Sequence, residues 1–139
     1  MKLNDNMTEH FKLNEFIKSP TADKHKIDNT PSKEILVNLQ ELAELLEKIR
    51  SKWKSPLIIT SGYRCKELNK LVGGSPNSQH VKGQAADIIS KNNKDLFILI
   101  MQMVYKGEIK IGQLIDEHNY KWLHISTPHL KVDNQIMHL

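Results

Sequence analysis

Cysteine is almost absent from this sequence, which has one, Cys65, among 139 residues. A single cysteine excludes an intrachain disulfide and a zinc cluster made of thiolates. Any metal site must therefore be built from histidine, aspartate and glutamate. The sequence also lacks internal repeats, low-complexity tracts and linkers, so we expect one domain spanning residues 1–139.

Long apolar segments are missing too. Residues 1–6 lack the apolar stretch of a Sec signal peptide, and no segment has the length of a membrane span. We therefore expect a soluble chain that is cytoplasmic at synthesis and has no membrane partner. If the chain is a phage-encoded enzyme released to the cell wall, another factor must deliver it.

The sequence has no strongly basic segment, although its net charge is +4 and its pI is near 9.1. Such a charge suits polyanions, which include nucleic acid and anionic cell-wall polymers. The 20 lysines and arginines are scattered among 16 acids, and no basic stripe or nucleic-acid-reading motif is present. We therefore expect no nucleic-acid partner.

The spacing of apolar residues predicts the elements of the fold. Between Lys33 and Trp53 they recur every three or four positions, which is typical of a long amphipathic helix, and Thr30-Pro31-Ser32 is a start signal for it. Residues 1–31 are polar and irregular apart from one short amphipathic turn, and we expect this extension to dock on the core. The other predictions are helices over 64–71 and 95–105 and strands over 57–60, 84–89, 113–117 and 121–126. The tail after Pro128 is weakly patterned.

Helices mainly precede strands in this prediction, and the connections are short. This order favours an α+β fold in which helices pack on a small, mainly antiparallel sheet.

The first candidate for chemistry is the segment Ser78-Gln79-His80-Val81-Lys82-Gly83-Gln84-Ala85-Ala86-Asp87. His80 is predicted to lie in a loop, Asp87 lies in the strand that follows, and Gly83 permits a sharp return between them. A carboxylate between Ala86 and Ile88 is costly to bury unless it is paired or binds a metal ion.

His124 adds a third candidate ligand, in the apolar strand Trp122-Leu123-His124-Ile125-Ser126. Two histidines and one aspartate, with a fourth position left to water, suit a catalytic zinc site. Hydrogen-bonded core histidines and a structural aspartate are the alternative, and spacing alone leaves it open.

These segments resemble the zinc D-Ala-D-Ala carboxypeptidase family of metallopeptidases, and more narrowly its small single-domain branch, which includes phage endolysins. The resemblance covers about residues 10–127. Its motifs are Ser78-x-His80-x-x-Gly83-x-Ala85-x-Asp87, Trp122-x-His124, Phe11-x-Leu13-x-Glu15-Phe16, Ile27-Asp28-Asn29-Thr30-Pro31, Ile59-Thr60-Ser61-Gly62-Tyr63-Arg64 and Leu68-Asn69-x-x-Val72-Gly73-Gly74. The resemblance implies a hedgehog/D-Ala-D-Ala carboxypeptidase-like fold.

The resemblance further implies a monomeric Zn²⁺-dependent peptidase acting on peptidoglycan peptides, as a D-Ala-D-Ala carboxypeptidase or an L-Ala-D-Glu-type endopeptidase. The positions that match the family's three zinc ligands are His80, Asp87 and His124. Arg64 matches an arginine near the metal, which would bind the substrate's carbonyl oxygen or carboxylate; a structural salt bridge is the alternative. Substrate binding or orientation of His80 is expected of Ser78 and Gln79.

At the general base, the sequence departs from part of the family. Several members carry glutamate three residues before the last histidine ligand, where this chain has Lys121. The small single-domain branch carries its acid upstream, in an Ile-x-Glu arrangement that Ile115-Asp116-Glu117 fits.

The register of the predicted hairpin decides which acid lies near His124. If Glu117 pairs with Trp122, and Ile115 with His124, then Glu117 shares a sheet face with His124. We therefore predict Glu117 as the catalytic base. A slip of one residue favours Asp116 or His118 instead, and a site without a base is the remaining alternative.

The predicted reaction is metal-assisted hydrolysis, in which zinc lowers the pKa of a water towards roughly 7. Glu117 would move its proton to the leaving amine, and Arg64 would stabilise the oxyanion. A second hypothesis, motivated by Lys121, is a catalytically weak or inactive wall-binding or virion structural module that zinc stabilises. A metal-free nucleic-acid binder fits the pI alone.

Overall fold

The structure is a computed structural model that describes residues 1–129 and 133–139. Residues 130–132, which belong to the weakly patterned tail, lie outside the described residues. The elements in chain order are helices α1 Leu13–Ile17, α2 Pro20–Lys24 and α3 Lys33–Trp53, strand β1 Ile58–Ser61, helix α4 Lys66–Leu71, a 3-10 helix Gln79–Lys82, strand β2 Ala85–Ile89, helix α5 Asn93–Tyr105, and strands β3 Gln113–Glu117, β4 Trp122–Ser126 and β5 Gln135–His138.

Helix α3 has the bounds that the periodicity predicts. Its N-cap is Ser32, whose hydroxyl accepts a hydrogen bond from the backbone N–H of Ile35 at 3.3 Å. The helix ends where Lys54 takes a left-handed conformation (φ 61°), two residues before Pro56. The apolar stripe of α3 is buried in the core cluster, with Leu39, Leu42, Ala43, Leu46 and Ile49 fully covered.

The five strands form one sheet in the order β1-β2-β4-β3-β5. The first three neighbouring pairs are antiparallel, and β5 lies parallel to β3. The fold is therefore the predicted α+β class with a mainly antiparallel sheet.

Alternation along the strands gives the sheet two different faces. One face carries apolar side chains that share the core cluster with α3 and α5 and are 0% exposed: Ala86, Ile88, Leu114, Leu123 and Ile125. The intervening positions of β2 and β4 point to the opposite face. Asp87 and His124, which are cross-strand partners, lie there.

Three predictions about the elements need correction. The N-terminal extension is not irregular, because it contains α1 and α2, and it buries Phe11 and Phe16 in the core cluster. His80 lies in a 3-10 helix rather than a loop. The tail contributes the unpredicted edge strand β5. No helix among the described residues is both long enough and apolar enough to cross a membrane.

Candidate metal centre

The position of His80 is fixed by a short turn and by one backbone carbonyl. Ser78 caps the 3-10 helix, where its hydroxyl accepts from the backbone N–H of His80 at 3.2 Å. The imidazole is nearly buried, since His80 is 3% exposed, and its Nδ1 lies 2.7 Å from the carbonyl oxygen of Gly62. A carbonyl oxygen only accepts hydrogen bonds, so Nδ1 carries the proton. In the neutral ring, Nε2 then offers a lone pair.

Asp87 and His124 reach the same point from neighbouring strands. Because they are directly opposite in the β2–β4 pair, their side chains leave the sheet on one face. Asp87 Oδ1 lies 3.4 Å from Nε2 of His80 and 3.3 Å from Nδ1 of His124. The two imidazole rings are 5.3 Å apart in an edge-on arrangement.

The spacing of these three side chains fits a tetrahedral metal ion. Zinc bonds of 2.0–2.2 Å place neighbouring ligand atoms about 3.4 Å apart, which matches both measured separations. The three ligand atoms all lie within 4.8 Å of one another. Nε2 of a neutral His80 and the Asp87 oxygen are both acceptors, so a cation between them relieves their repulsion. Histidine nitrogens with one carboxylate are a donor set that suits zinc.

Asp87 is held in its charged form. Burial by itself raises the pKa of Asp87, but the hydrogen bonds that His124 and His80 donate when their rings are protonated, and the positive charge of those rings, more than offset it. The result is a pKa well below the usual range of an aspartate. The carboxylate is therefore anionic at neutral pH and available as a metal ligand.

Arg64 lies beside the three candidate ligands. Its Nε donates to Oδ1 of Asn69 at 3.0 Å and its Nη1 donates to the hydroxyl of Ser61 at 3.1 Å. Burial lowers the pKa of Arg64, while the nearby Asp87 carboxylate opposes this change, and a guanidinium stays protonated in proteins. Arg64 has no salt-bridge partner in residues 1–129 and 133–139, so the alternative of a structural salt bridge finds no support there.

The β3–β4 hairpin has the register on which the choice of base depends. Glu117 is opposite Trp122 and Ile115 is opposite His124, so Glu117 and His124 share a face. The indole Nε1 of Trp122 donates to Oε2 of Glu117 at 2.6 Å. The other carboxylate oxygen accepts no hydrogen bond from the described residues. The catalytic role of Glu117 stays a prediction, although the strand register that it requires is present.

The two alternative bases lie elsewhere. Asp116 points to the core side of the sheet, is 4% exposed, and bonds to the imidazole of His138 in β5. His118 is exposed in the turn, where its ring lies 4.7 Å from the ring of Trp122. The sheet therefore separates Asp116 from His124, and His118 lies outside the strand pairing.

Several contacts of the centre were not predicted from the sequence. The carbonyl of Gly62, the indole of Trp122 and the amide of Asn69 each bind a predicted site residue. Asn69 and Gly62 lie in segments that carry the family resemblance, which is the only signal that marked them. Of the two residues expected to bind substrate besides Arg64, Ser78 caps the helix of His80, and the buried Oε1 of Gln79 has no partner among the described residues.

The two imidazoles and one carboxylate, of which Asp87 and His124 lie on neighbouring strands of the α+β fold, could hold a metal ion, and such a donor set is typical of hydrolytic zinc centres. The family model described as Peptidase M15 matches residues 9–126, and the chain belongs to this family of zinc-dependent metallopeptidases. The family predicted from the motifs is thereby confirmed. A search of curated proteins finds no match.

Proposed function

We propose that the chain is a zinc peptidase that hydrolyses peptide bonds in bacterial cell-wall peptides, either as a D-Ala-D-Ala carboxypeptidase or as an L-Ala-D-Glu-type endopeptidase. The observation that carries the proposal is the triangle of His80, Asp87 and His124, whose oxygen–nitrogen separations of 3.3 and 3.4 Å fit a zinc ion. Membership of the Peptidase M15 family supports the reaction class.

The three side chains of the triangle would hold the ion through His80 Nε2, an Asp87 oxygen and His124 Nδ1. When bound, zinc supplies Lewis acidity, which acidifies water and polarises a peptide carbonyl. Three protein ligands leave a coordination position for this chemistry.

Glu117 would serve as the general base. The Trp122 indole holds Oε2, which leaves Oε1 to take a proton from water and to pass it to the leaving amine. This role is supported by the strand register, which puts Glu117 on the same sheet face as His124.

Arg64 would bind a carboxylate or a developing oxyanion of the substrate. Of the five N–H groups of a guanidinium, two are bonded to Asn69 and Ser61, and the other three have no partner among the described residues. These three N–H groups suit a carboxylate, such as that of a terminal D-Ala or the free carboxylate of D-Glu.

The test is digestion of purified peptidoglycan and of soluble muropeptides by the zinc-loaded protein, with products weighed by mass spectrometry. Loss of one terminal alanine identifies a carboxypeptidase, whereas separation of L-Ala from D-Glu identifies the endopeptidase. Chelator-treated protein is the control. Zinc-loaded protein that cleaves no purified peptidoglycan would contradict the proposal.

A second candidate is a zinc-stabilised wall-binding or virion structural module with little or no hydrolysis. Lys121 favours it, because several family members have glutamate at this position. Co-sedimentation of zinc-loaded protein with purified sacculi, without release of any fragment, would support the module over the peptidase.

A further inference from the structure

Next to the candidate metal centre lies a buried amide, Asn69, that takes no part in the proposed chemistry. It lies in α4 and is 3% exposed. Burying an amide costs free energy unless its polar atoms form hydrogen bonds. Here both ends are bonded: Oδ1 accepts from Nε of Arg64 at 3.0 Å, and Nδ2 donates to the carbonyl oxygen of Ser75 at 2.8 Å.

The surroundings allow this amide one orientation. Arg64 Nε can only donate and the Ser75 carbonyl can only accept, so a flip of the amide would lose both bonds. The backbone of Gly74 packs directly against the Asn69 amide, since a Cβ at Gly74 would lie 2.1 Å from Oδ1 of Asn69. The backbone N–H of Gly74 also donates to the carbonyl of Asn69 at 2.9 Å. Asn69 is therefore a fixed acceptor for Arg64.

This acceptor determines where the guanidinium lies. Asn69 holds its Nε and Ser61 holds its Nη1, so two corners of the planar group are fixed. Ser61 is the cross-strand partner of Asp87, which places the guanidinium beside a candidate metal ligand. An arginine side chain otherwise has large rotamer freedom, and fixing it beforehand removes that entropic cost from substrate binding.

We propose that Asn69 is a positioning residue for Arg64: it orients the guanidinium towards the substrate position and ties it to the loop before Ser78. The substrate-directed part of this inference rests on the proposed peptidase function. The orientation of Arg64 by Asn69 does not, and it can be measured without turnover.

The orientation is tested by hydrogen exchange of arginine Nε–H groups in ¹⁵N NMR. The chain has two arginines, Arg50 and Arg64, and the side chain of Arg50 makes no hydrogen bond with the described residues. The Arg64 Nε–H should exchange about tenfold more slowly than that of Arg50. Asn69→Leu should abolish the difference, and Asn69→Asp, which keeps an acceptor oxygen, should retain it. Equal rates in the unmodified protein, or lost protection in folded Asn69→Asp, would overturn the inference.

The functional part is tested by a double-mutant cycle. Asn69→Leu should lower kcat/KM by about 10- to 100-fold through misplacement of Arg64, with zinc content and Tm recorded as controls. In an Arg64→Ala background the same substitution should cause no further loss. If the losses in kcat/KM from the two substitutions multiply, Asn69 acts independently of Arg64 and the inference is wrong. The proposed peptidase function is unaffected by that result. Unmodified protein that cleaves nothing counts against the proposed function instead, and the exchange rates then decide the inference alone.

Discussion

At the residue scale, the site depends on Asp87, whose Oδ1 faces both imidazoles. Removing this oxygen leaves only two histidine nitrogens, and two neutral ligands hold zinc far more weakly than three ligands of which one is charged. We predict that Asp87→Ala, like His80→Ala, loses its bound zinc, measured by elemental analysis of dialysed protein. His118→Ala is the matched control, because this exposed histidine lies outside the ligand group, and it should keep stoichiometric metal. Stoichiometric zinc in Asp87→Ala would exclude the triangle as the metal site.

A second residue-scale prediction concerns the carboxylate of Glu117. Glutamine keeps the size of the side chain and an acceptor for the Trp122 indole, but it cannot take up a proton. Glu117→Gln should therefore bind zinc normally and lose kcat by roughly 10²- to 10⁴-fold. Asp116→Asn is the control: it alters the neighbouring acid on the opposite face and should leave kcat near that of the unmodified protein. Unchanged turnover in Glu117→Gln would remove Glu117 from the role of base.

The spacing of His80, Asp87 and His124 suggested a metal site without excluding core histidines and a structural aspartate, and the family resemblance was what predicted the three residues as a group. The sequence was not sufficient to predict the contacts that orient them. The Gly62 carbonyl is a backbone atom, and its position against His80 depends on how β1 ends. The bond from Trp122 to Glu117 likewise depends on side-chain rotamers, which a residue pattern does not specify.

At the element scale, the sequence favoured the observed β3–β4 register over a one-residue slip, because a slip turns the apolar side chains of one strand from the core to solvent. Strand β5 was not predictable. It is a four-residue segment that pairs in parallel with β3, a partner distant in sequence. Its short run of residues carries no alternation long enough to distinguish it from a loop.

The junction of β1 with the N-terminal extension gives an element-scale prediction at Gly62. A Cβ there would lie 2.3 Å from the carbonyl oxygen of Phe16, which accepts a hydrogen bond from Tyr63. Gly62→Ala should therefore destabilise the protein by about 1–3 kcal/mol. It should also weaken zinc binding, because the displaced Gly62 carbonyl orients His80.

Denaturant unfolding and zinc titration measure the two effects of Gly62→Ala. Gly73→Ala is the control: Gly73 has φ +79° and no atom within 4 Å of an added Cβ, so it should cost about 1–2 kcal/mol from backbone strain alone. Its zinc affinity should be unchanged. Equal zinc affinity in the two variants would show that the Gly62 carbonyl does not orient His80.

At the scale of the whole molecule, the N-terminal extension supports the site. Asn29 donates to the carbonyls of Ile17 and Tyr63 and accepts from the backbone N–H of Cys65, so one amide ties the extension to both sides of Arg64. The sequence predicted that the extension docks, through its apolar residues. It did not predict which polar contacts hold it, because these depend on the path of the backbone.

The last prediction concerns the attachment of the extension to α3. Burial by itself raises the pKa of Glu47, but hydrogen bonds from the ring and backbone N–H of His10, at 2.6 and 2.7 Å, lower it below its usual range. A carboxyl with a lowered pKa in the folded state adds stability above its unfolded pKa of about 4.3, and that stability is lost as the pH falls through the folded value. Glu47→Gln should therefore reduce the free energy of unfolding at neutral pH by at most about 1 kcal/mol, because water screens a pair that is partly exposed.

The difference in unfolding free energy between Glu47→Gln and the unmodified protein should disappear in acid, as urea unfolding across a pH series would measure. Glu41→Gln, an exposed glutamate of the same helix, should show no such difference at any pH, and a Glu47→Gln deficit that persists in acid would mean that packing, not charge, holds the extension.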